Sequence, residues 1–307
     1  MVDPQRPIGL LGFGEAGFHI SRGLRSAGAP PLVAFDIKAH TNDAAGERIR
    51  ARAAETETRL LDAPRALAGR AHVILSLVTA ASACDAAESV EAALSPDHLY
   101  VDFNSVSPAT KQQVAAVIGR GAGRFVEGSI MAPVPGADHR VPILLNGPSA
   151  PLLADALSPY QMRLDVMDGA IGGAAAVKMC RSIVIKGLEA LMLECTLAAE
   201  EYGAADRVYA SLTETYPGID WRKTARYMIG RVLEHGERRA HEMEEVADTL
   251  RAAGIEPLMA EATARRQDWE ATLRREGRLS GRKPDTAEGL QTLLVDRGIA
   301  AGHTHRS

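Results

Sequence analysis

A chain of 307 residues with 46% hydrophobic and 24% charged positions can bury a sizeable core in one large domain or two. Its formal net charge of −4 argues against nucleic acid or an anionic membrane surface as the main partner. Cys84, Cys180 and Cys195 stand far apart, with no CxxC and no histidine pair at ligand spacing, so buried free thiols are expected rather than a disulfide frame or a metal site.

The opening MVDPQRPIGLLGFG carries an early acid and a short apolar run, and reads as neither signal peptide nor anchor. Nowhere do about 18 apolar residues run together without charge, so no membrane association and a cytoplasmic location are expected. From Ile8 to Met167 short apolar runs alternate with helical patterns. Strands are expected at IGLLG (8–12), PLVAFD (31–36), HVILSLV (72–78), LYVDF (99–103), RFVEGSIM (124–131), VPILLN (141–146) and MRLDVM (162–167). Near-continuous apolar strands separated by helices, such as AGFHISRGLRSAG and PATKQQVAAVIGRG, predict an α/β, doubly wound and mainly parallel sheet covered on both faces. The last strands are separated by less helix, so a mixed far edge is expected.

After Gly172 the strand signal stops. Helices are expected over 174–202, 206–216, 221–253, 257–277 and 284–300, with Gly or Pro in each break. The Arg-rich run from Ala264 to Lys283 reads as an exposed helix face. This pattern predicts a nucleotide-binding domain over 1–170 and an all-α domain over 171–307.

Gly12-Phe13-Gly14-Glu15-Ala16-Gly17 is GxGxxG, a weak signal strengthened by its setting between a strand and a helix. Glycines at 12 and 14 permit a tight turn and close approach of a pyrophosphate to backbone N–H groups, and Gly17 lets helix and strand pack closely. Asp36 ends the next strand, where a carboxylate binds the ribose 2′-hydroxyl and repels a 2′-phosphate. NAD is therefore expected over NADP, with Lys38 leaving NADP open. Leu77, Val78 and Thr79 would line the cofactor where the chain leaves the third strand.

The stretch GGAAAVKMCRSIVIKGLEALMLE (172–194) is apolar on nearly every face, yet carries Lys178 near its start. Burial there would disfavour the ammonium and make the amine a better proton acceptor near neutral pH. Lys186, in the same stretch, reads as structural.

Three motifs fall in a recognisable order: GxGxxG, then Asp102-Phe-Asn-Ser-Val-Ser-Pro108, then Gly172-Gly-Ala-Ala-Ala-Val-Lys178. In them the chain resembles the β-hydroxyacid dehydrogenase family, which shares its architecture with 6-phosphogluconate dehydrogenase. The stretch from Lys178 onward is most similar to a branch with a poorly characterised C-terminal domain. The resemblance implies a Rossmann-type domain, a helical domain used for homodimerisation, and hydride transfer between a nicotinamide and a hydroxyl or carbonyl carbon of a small organic acid. Lys178 would be the general acid/base, with Asn104 and Ser105 near nicotinamide and substrate. Ser182 takes the position, four residues after the lysine, where the family usually has asparagine.

Departures accompany the likeness. Near VEGSIMAPVPG, either Met131 or Pro135 replaces a substrate-binding serine, so a less acidic or bulkier substrate is plausible. The family's Lys-Asp pair corresponds to His241-Glu242, and His241 is a candidate for the substrate side. Ile185 stands where the decarboxylating enzyme has a second acid, which argues against that reaction. Imine reductases of the same architecture, and a catalytically silent nucleotide sensor, are the alternative functions.

Overall fold

The computed structural model describes residues 6–277. The chain divides into two compact units, Met1–Lys178 and Met179–Ser307, so the division falls inside the first long helix rather than ahead of it.

The first unit is an eight-stranded sheet in the order β3-β2-β1-β4-β5-β6-β7-β8. Its strands are β1 (Ile8–Leu11), β2 (Val33–Phe35), β3 (Arg59–Leu60), β4 (Val73–Ser76), β5 (Leu99–Asp102), β6 (Arg124–Ile130), β7 (Ile143–Asn146) and β8 (Leu164–Val166). The first six are parallel, and β7 turns antiparallel to β6, giving the mixed far edge. Gly9 is in register with Val33 on one side and Ile74 on the other, so chain order reverses across β1. Ligands bind at such a reversal, beyond the carboxyl ends of the strands. The seven expected strands form; β3 was missed because two residues, Arg59 exposed, carry no apolar run.

All four residues of β1, β4 and β5 are buried, as strands covered on both faces must be. Leu10, Leu75, Val101 and Val126 face one core, with Ile20 and Leu24 of α1 (Glu15–Ser26), Ile49 of α2 (Ala44–Glu55) and Leu153 of α5 (Ala150–Leu157). Leu11, Ile74 and Tyr100 face the other, with Val90 of α3 (Ala83–Glu91) and Ile118 of α4 (Pro108–Arg120). Lys111 and Asp102 are both wholly buried in this unit. The lysine's Nζ stands 3.2 Å from Asp102 Oδ1 and donates to the carbonyls of Asp102 (2.6 Å) and Gly128 (3.1 Å). These bonds tie α4 to the end of β5 and to the interior of β6.

Helix α6 (Gly173–Glu201) begins in the first unit. The second unit also holds α7 (Ala205–Thr215), α8 (Trp221–Ala252), α9 (Leu258–Gln267) and α10 (Trp269–Arg275). One core gathers Leu193, Tyr209, Trp221, Ile229, Val232 and Leu273; another joins Met179 to Met243, Val246 and Ala260. The single helix expected over 257–277 is broken at Asp268. Its carbonyl accepts from the Thr272 amide and its carboxylate from the Thr272 hydroxyl (both 2.9 Å), local bonds that open a new helix. The expected helix over 284–300 lies outside the described residues. No helix among the described residues is long and apolar enough to cross a membrane.

The start of α6 is held by Glu127, a wholly buried carboxylate on β6. Its Oε2 accepts from the Gly172 amide (2.7 Å) and from Asn146 Nδ2 (3.2 Å), and its Oε1 accepts from the Ala175 amide (2.7 Å). Asn146 Nδ2 also donates to the Ala170 carbonyl at 2.6 Å. A carboxylate at this place satisfies amides that the helix itself leaves open, and its charge suits the helix N-terminus. Glu127→Gln keeps the shape but replaces one acceptor with a donor facing an amide. It should cost about 1–3 kcal/mol in chemical denaturation and speed amide exchange at Gly172–Ala175. Unchanged exchange there would show that the carboxylate does not hold the helix.

Candidate cofactor and active site

Gly12 follows β1 with φ +94°, and a Cβ there would lie 2.6 Å from the Leu77 carbonyl oxygen, so only glycine fits. Phe13 is wholly buried, whereas Gly14 opens onto free space, with nothing within 4 Å of where its Cβ would be. Gly14 flanks the start of helix α1, and no side chain caps the first turn. Glu15 is exposed, Ala16 half-buried, and Gly17 packs against the Gly12 carbonyl. An uncapped helix start beneath an open glycine loop is a cradle for a pyrophosphate, and the residues present fit a dinucleotide.

Asp36 stands just after β2 and binds the loop itself. Its Oδ2 accepts from the Phe13 amide (2.8 Å) and its Oδ1 from the Lys38 amide (2.9 Å). Each oxygen keeps a lone pair for a ribose hydroxyl. The loop and the Asp36 carboxylate are therefore one hydrogen-bonded unit.

Leu77 and Val78 are half-buried beside Gly12, while Thr79 is exposed and bonds Ser82 at 3.0 Å. The Val78 amide donates to Asn104 Oδ1 (2.7 Å), and Asn104 Nδ2 donates to Ser76 Oγ (3.0 Å). Asn104 is buried, so its amide clamps the ends of β4 and β5 together. Asp102 Oδ1 accepts from the Asn104 amide (2.8 Å), and half-buried Ser105 follows. Ser107 Oγ then caps α4, accepting from the Thr110 amide at 3.3 Å.

That turn meets the start of α6. Gly172, at φ +102°, packs so tightly on Pro108 that a Cβ would lie 3.1 Å from its Cβ. Gln112 Nε2 donates to the Ile171 carbonyl at 3.1 Å. Contacts thus run from Gly12 through Leu77 and Val78 to Asn104, and the turn that Asn104 opens ends at Pro108, which packs on Gly172 where the helix bearing Lys178 begins. The three motifs converge within the first unit.

Lys178 is half-buried, not sequestered as its apolar surroundings in sequence suggested. The reason is that α6 is not covered all round: Val177, Val184, Ile185 and Leu191 are exposed. The buried lysine of this helix is Lys186, 6% exposed, on the same face one turn beyond the buried Ser182. Burial pushes the Lys186 ammonium below the usual lysine range, against the opposing pull of Glu242. Of the His241-Glu242 pair, Glu242 faces Lys186 at 3.0 Å, while His241 is exposed and bonds Glu244 at 3.0 Å. Met131 is half-buried after β6, with its amide on the Pro142 carbonyl (2.9 Å), and Pro135 is exposed.

The cysteines are free, but not buried as expected: Cys180 is exposed, and Cys84 and Cys195 are half-buried. Partial burial, reinforced by the Asp102 charge, pushes the Cys84 thiol up and away from nucleophilic use. Sequence reasoning missed Glu127 and Lys186. The signals available were a lone acid inside the apolar run RFVEGSIM, and the four-residue spacing Lys178, Ser182, Lys186 along one helix face.

Comparison with known proteins agrees with this geometry. Residues 7–150 match the NAD binding domain of 6-phosphogluconate dehydrogenase, and residues 199–269 match a domain of unknown function, DUF1932. A conserved hypothetical protein from Sinorhizobium meliloti 1021 is 38% identical, with 95% of this chain and 97% of that one covered and a TM-score of 0.74. A conserved protein of unknown function, noted for its similarity with 3-hydroxyacid dehydrogenases, is 28% identical over 88% of this chain and 99% of that one, with a TM-score of 0.69. The fold extends to Mycobacterium tuberculosis 3-hydroxyisobutyrate dehydrogenase, solved with L-serine: 18% identity, TM-score 0.72, covering 94% of this chain and 99% of that one. With its NAD-binding half matched and a relative this similar along nearly the whole length, the chain belongs to the 6-phosphogluconate dehydrogenase-like, β-hydroxyacid dehydrogenase superfamily.

Proposed function

We propose that this chain is an NAD(P)-dependent dehydrogenase or reductase acting on the hydroxyl or carbonyl carbon of a small organic acid, with Lys178 as general acid/base. The observation that carries this reading is the path from the Gly12 loop by contact to Asn104, along the turn to Pro108, and by contact again to Gly172 and the helix of Lys178. A bound nicotinamide supplies the two-electron acceptor or donor.

The chain's own residues do the rest. The Gly12–Gly17 loop and the start of α1 hold the pyrophosphate, and Asp36 takes the ribose hydroxyls. Asn104 keeps the ends of β4 and β5 at fixed separation beneath the nicotinamide side of the cleft. In oxidation the Lys178 amine accepts the substrate's hydroxyl proton; in reduction its ammonium returns one to the carbonyl oxygen. Ser182, one turn along the helix, hydrogen-bonds the same reacting oxygen. Met131 leaves the substrate side of the β6 loop apolar, which suits a substrate with a bulkier body than its carboxylate alone.

Turnover of hydroxyacids, L-serine among them, of aldehydes and of cyclic imines, followed by nicotinamide absorbance, tests the reading. Oxidation of a hydroxyacid or reduction of its carbonyl partner is expected. Imine reduction alone would make the chain an imine reductase, and tight NADH binding without turnover would leave a nucleotide sensor. Lys178→Met should lower kcat by about 10²–10⁴-fold while NADH affinity holds; retained turnover removes Lys178 from the chemistry. Asp36 should make NADH bind more tightly than NADPH. Asp36→Asn, which removes the charge, should narrow that ratio of Kd values about tenfold in fluorescence titrations.

A further inference from the structure

The helical unit holds a buried ionic cluster that the proposed chemistry does not use. Lys186 Nζ lies 3.0 Å from Glu242 Oε2 and donates to Ser182 Oγ at 3.1 Å. Arg238, four residues before Glu242 on α8, grips the same carboxylate. Next to them Arg239 pairs with Glu189, and Gln267 Nε2 donates to Glu189 Oε2 (3.2 Å) and to the Lys186 carbonyl (3.3 Å). Lys186, Ser182, Glu189, Arg239 and Gln267 are all buried. Buried ion pairs of this kind are rarely more stabilising than apolar side chains of the same shape. A role beyond stability is therefore worth seeking.

The chemistry of the Ser182 contact supplies one. A serine hydroxyl has one proton and two lone pairs, and left alone it rotates between giving and accepting. An ammonium has three protons and nothing to accept with, so toward Lys186 the Ser182 oxygen can only accept. Among the described residues none takes the Ser182 proton, which leaves that proton for another oxygen. Accepting from a cation also makes the hydroxyl a stronger donor.

We propose that Lys186, braced by Glu242, is a positioning residue that fixes the Ser182 hydroxyl as a hydrogen-bond donor to the substrate's reacting oxygen. This rests on the reading above that Ser182 stands beside the reacting carbon with Lys178. It narrows the substrate class: a fixed donor backed by a cation favours an alcohol or carbonyl oxygen, which accepts, and disfavours an iminium N–H, which also donates. The ammonium gains no bond to the substrate; it acts only through the serine.

The test uses the full chain, with NADH or NAD and the fastest hydroxyacid or carbonyl substrate of the panel. Ser182→Ala and Lys186→Met should each lower kcat about tenfold or more, with KM and the Kd for NADH nearly unchanged. The double variant should be no slower than Ser182→Ala alone, and Lys186→Arg should recover part of the lost rate. Should Lys186→Met alone fail to fold, Lys186→Met with Glu242→Gln removes both charges and takes its place in the cycle. A Lys186→Met enzyme with full kcat overturns the proposal. So do losses that multiply in the double variant, and a loss confined to thermal stability. Lys178→Met separates the two levels: if it retains turnover, the functional reading itself has failed. If it is inactive while the Ser182 and Lys186 effects multiply, only the positioning role is lost.

Discussion

The buried carboxylate of Glu127 is the constraint on which the site depends. It stands on β6, collects Asn146 from β7, and receives the amides of Gly172 and Ala175 where α6 begins. A helix start buried without acceptors would leave several amides unsatisfied, each costing about 1–3 kcal/mol. One side chain removes that cost and in doing so anchors the beginning of the helix to the sheet. Lys178 lies less than two turns beyond the anchored amides, so its bearing follows from the sheet more than from its own surroundings.

Three lysines show how environment assigns role. Lys111 is wholly enclosed among three acceptor oxygens, two of them from Asp102, which makes it a strut inside the nucleotide-binding unit. Lys178 is half-buried at the converging motifs, open enough to exchange a proton as the proposed function requires. Lys186 is enclosed by Glu242, Glu189 and Arg239, and its ammonium also donates to a serine one turn from Lys178. The residue type is the same; burial and partners decide what each can do.

Much of the fold was legible because the physical signals were local. Continuous apolar strands with helical spacers announced a covered parallel sheet, and Gly12 to Gly17 announced its own turn because a backbone carbonyl fills the space a Cβ would need. The two-residue β3 and the break at Asp268 were invisible to periodicity: one is too short for any pattern, and the other is set by bonds between neighbouring polar groups. The site was legible as three motifs but not as one place. What joins them is long-range: the Asn104 amide bridging two strand ends, Pro108 against Gly172, and Glu127 reaching across to the helix. The burial of Lys178 was over-read for a related cause. An apolar stretch says that a helix can be covered, and α6 keeps Val184, Ile185 and Leu191 exposed all the same.

The enclosure of Lys111 with Asp102 has a consequence for how this sequence can change over generations. Neither side chain reaches solvent, so replacing one leaves the other's polar atoms buried without their partner, whereas exchanging both for well-fitted apolar groups does not. The two positions are thus epistatic: substitutions harmful singly become tolerable together. A lineage can leave this state only by a double step or through a poorly folding ancestor, which makes the couple an inherited unit rather than two independent sites.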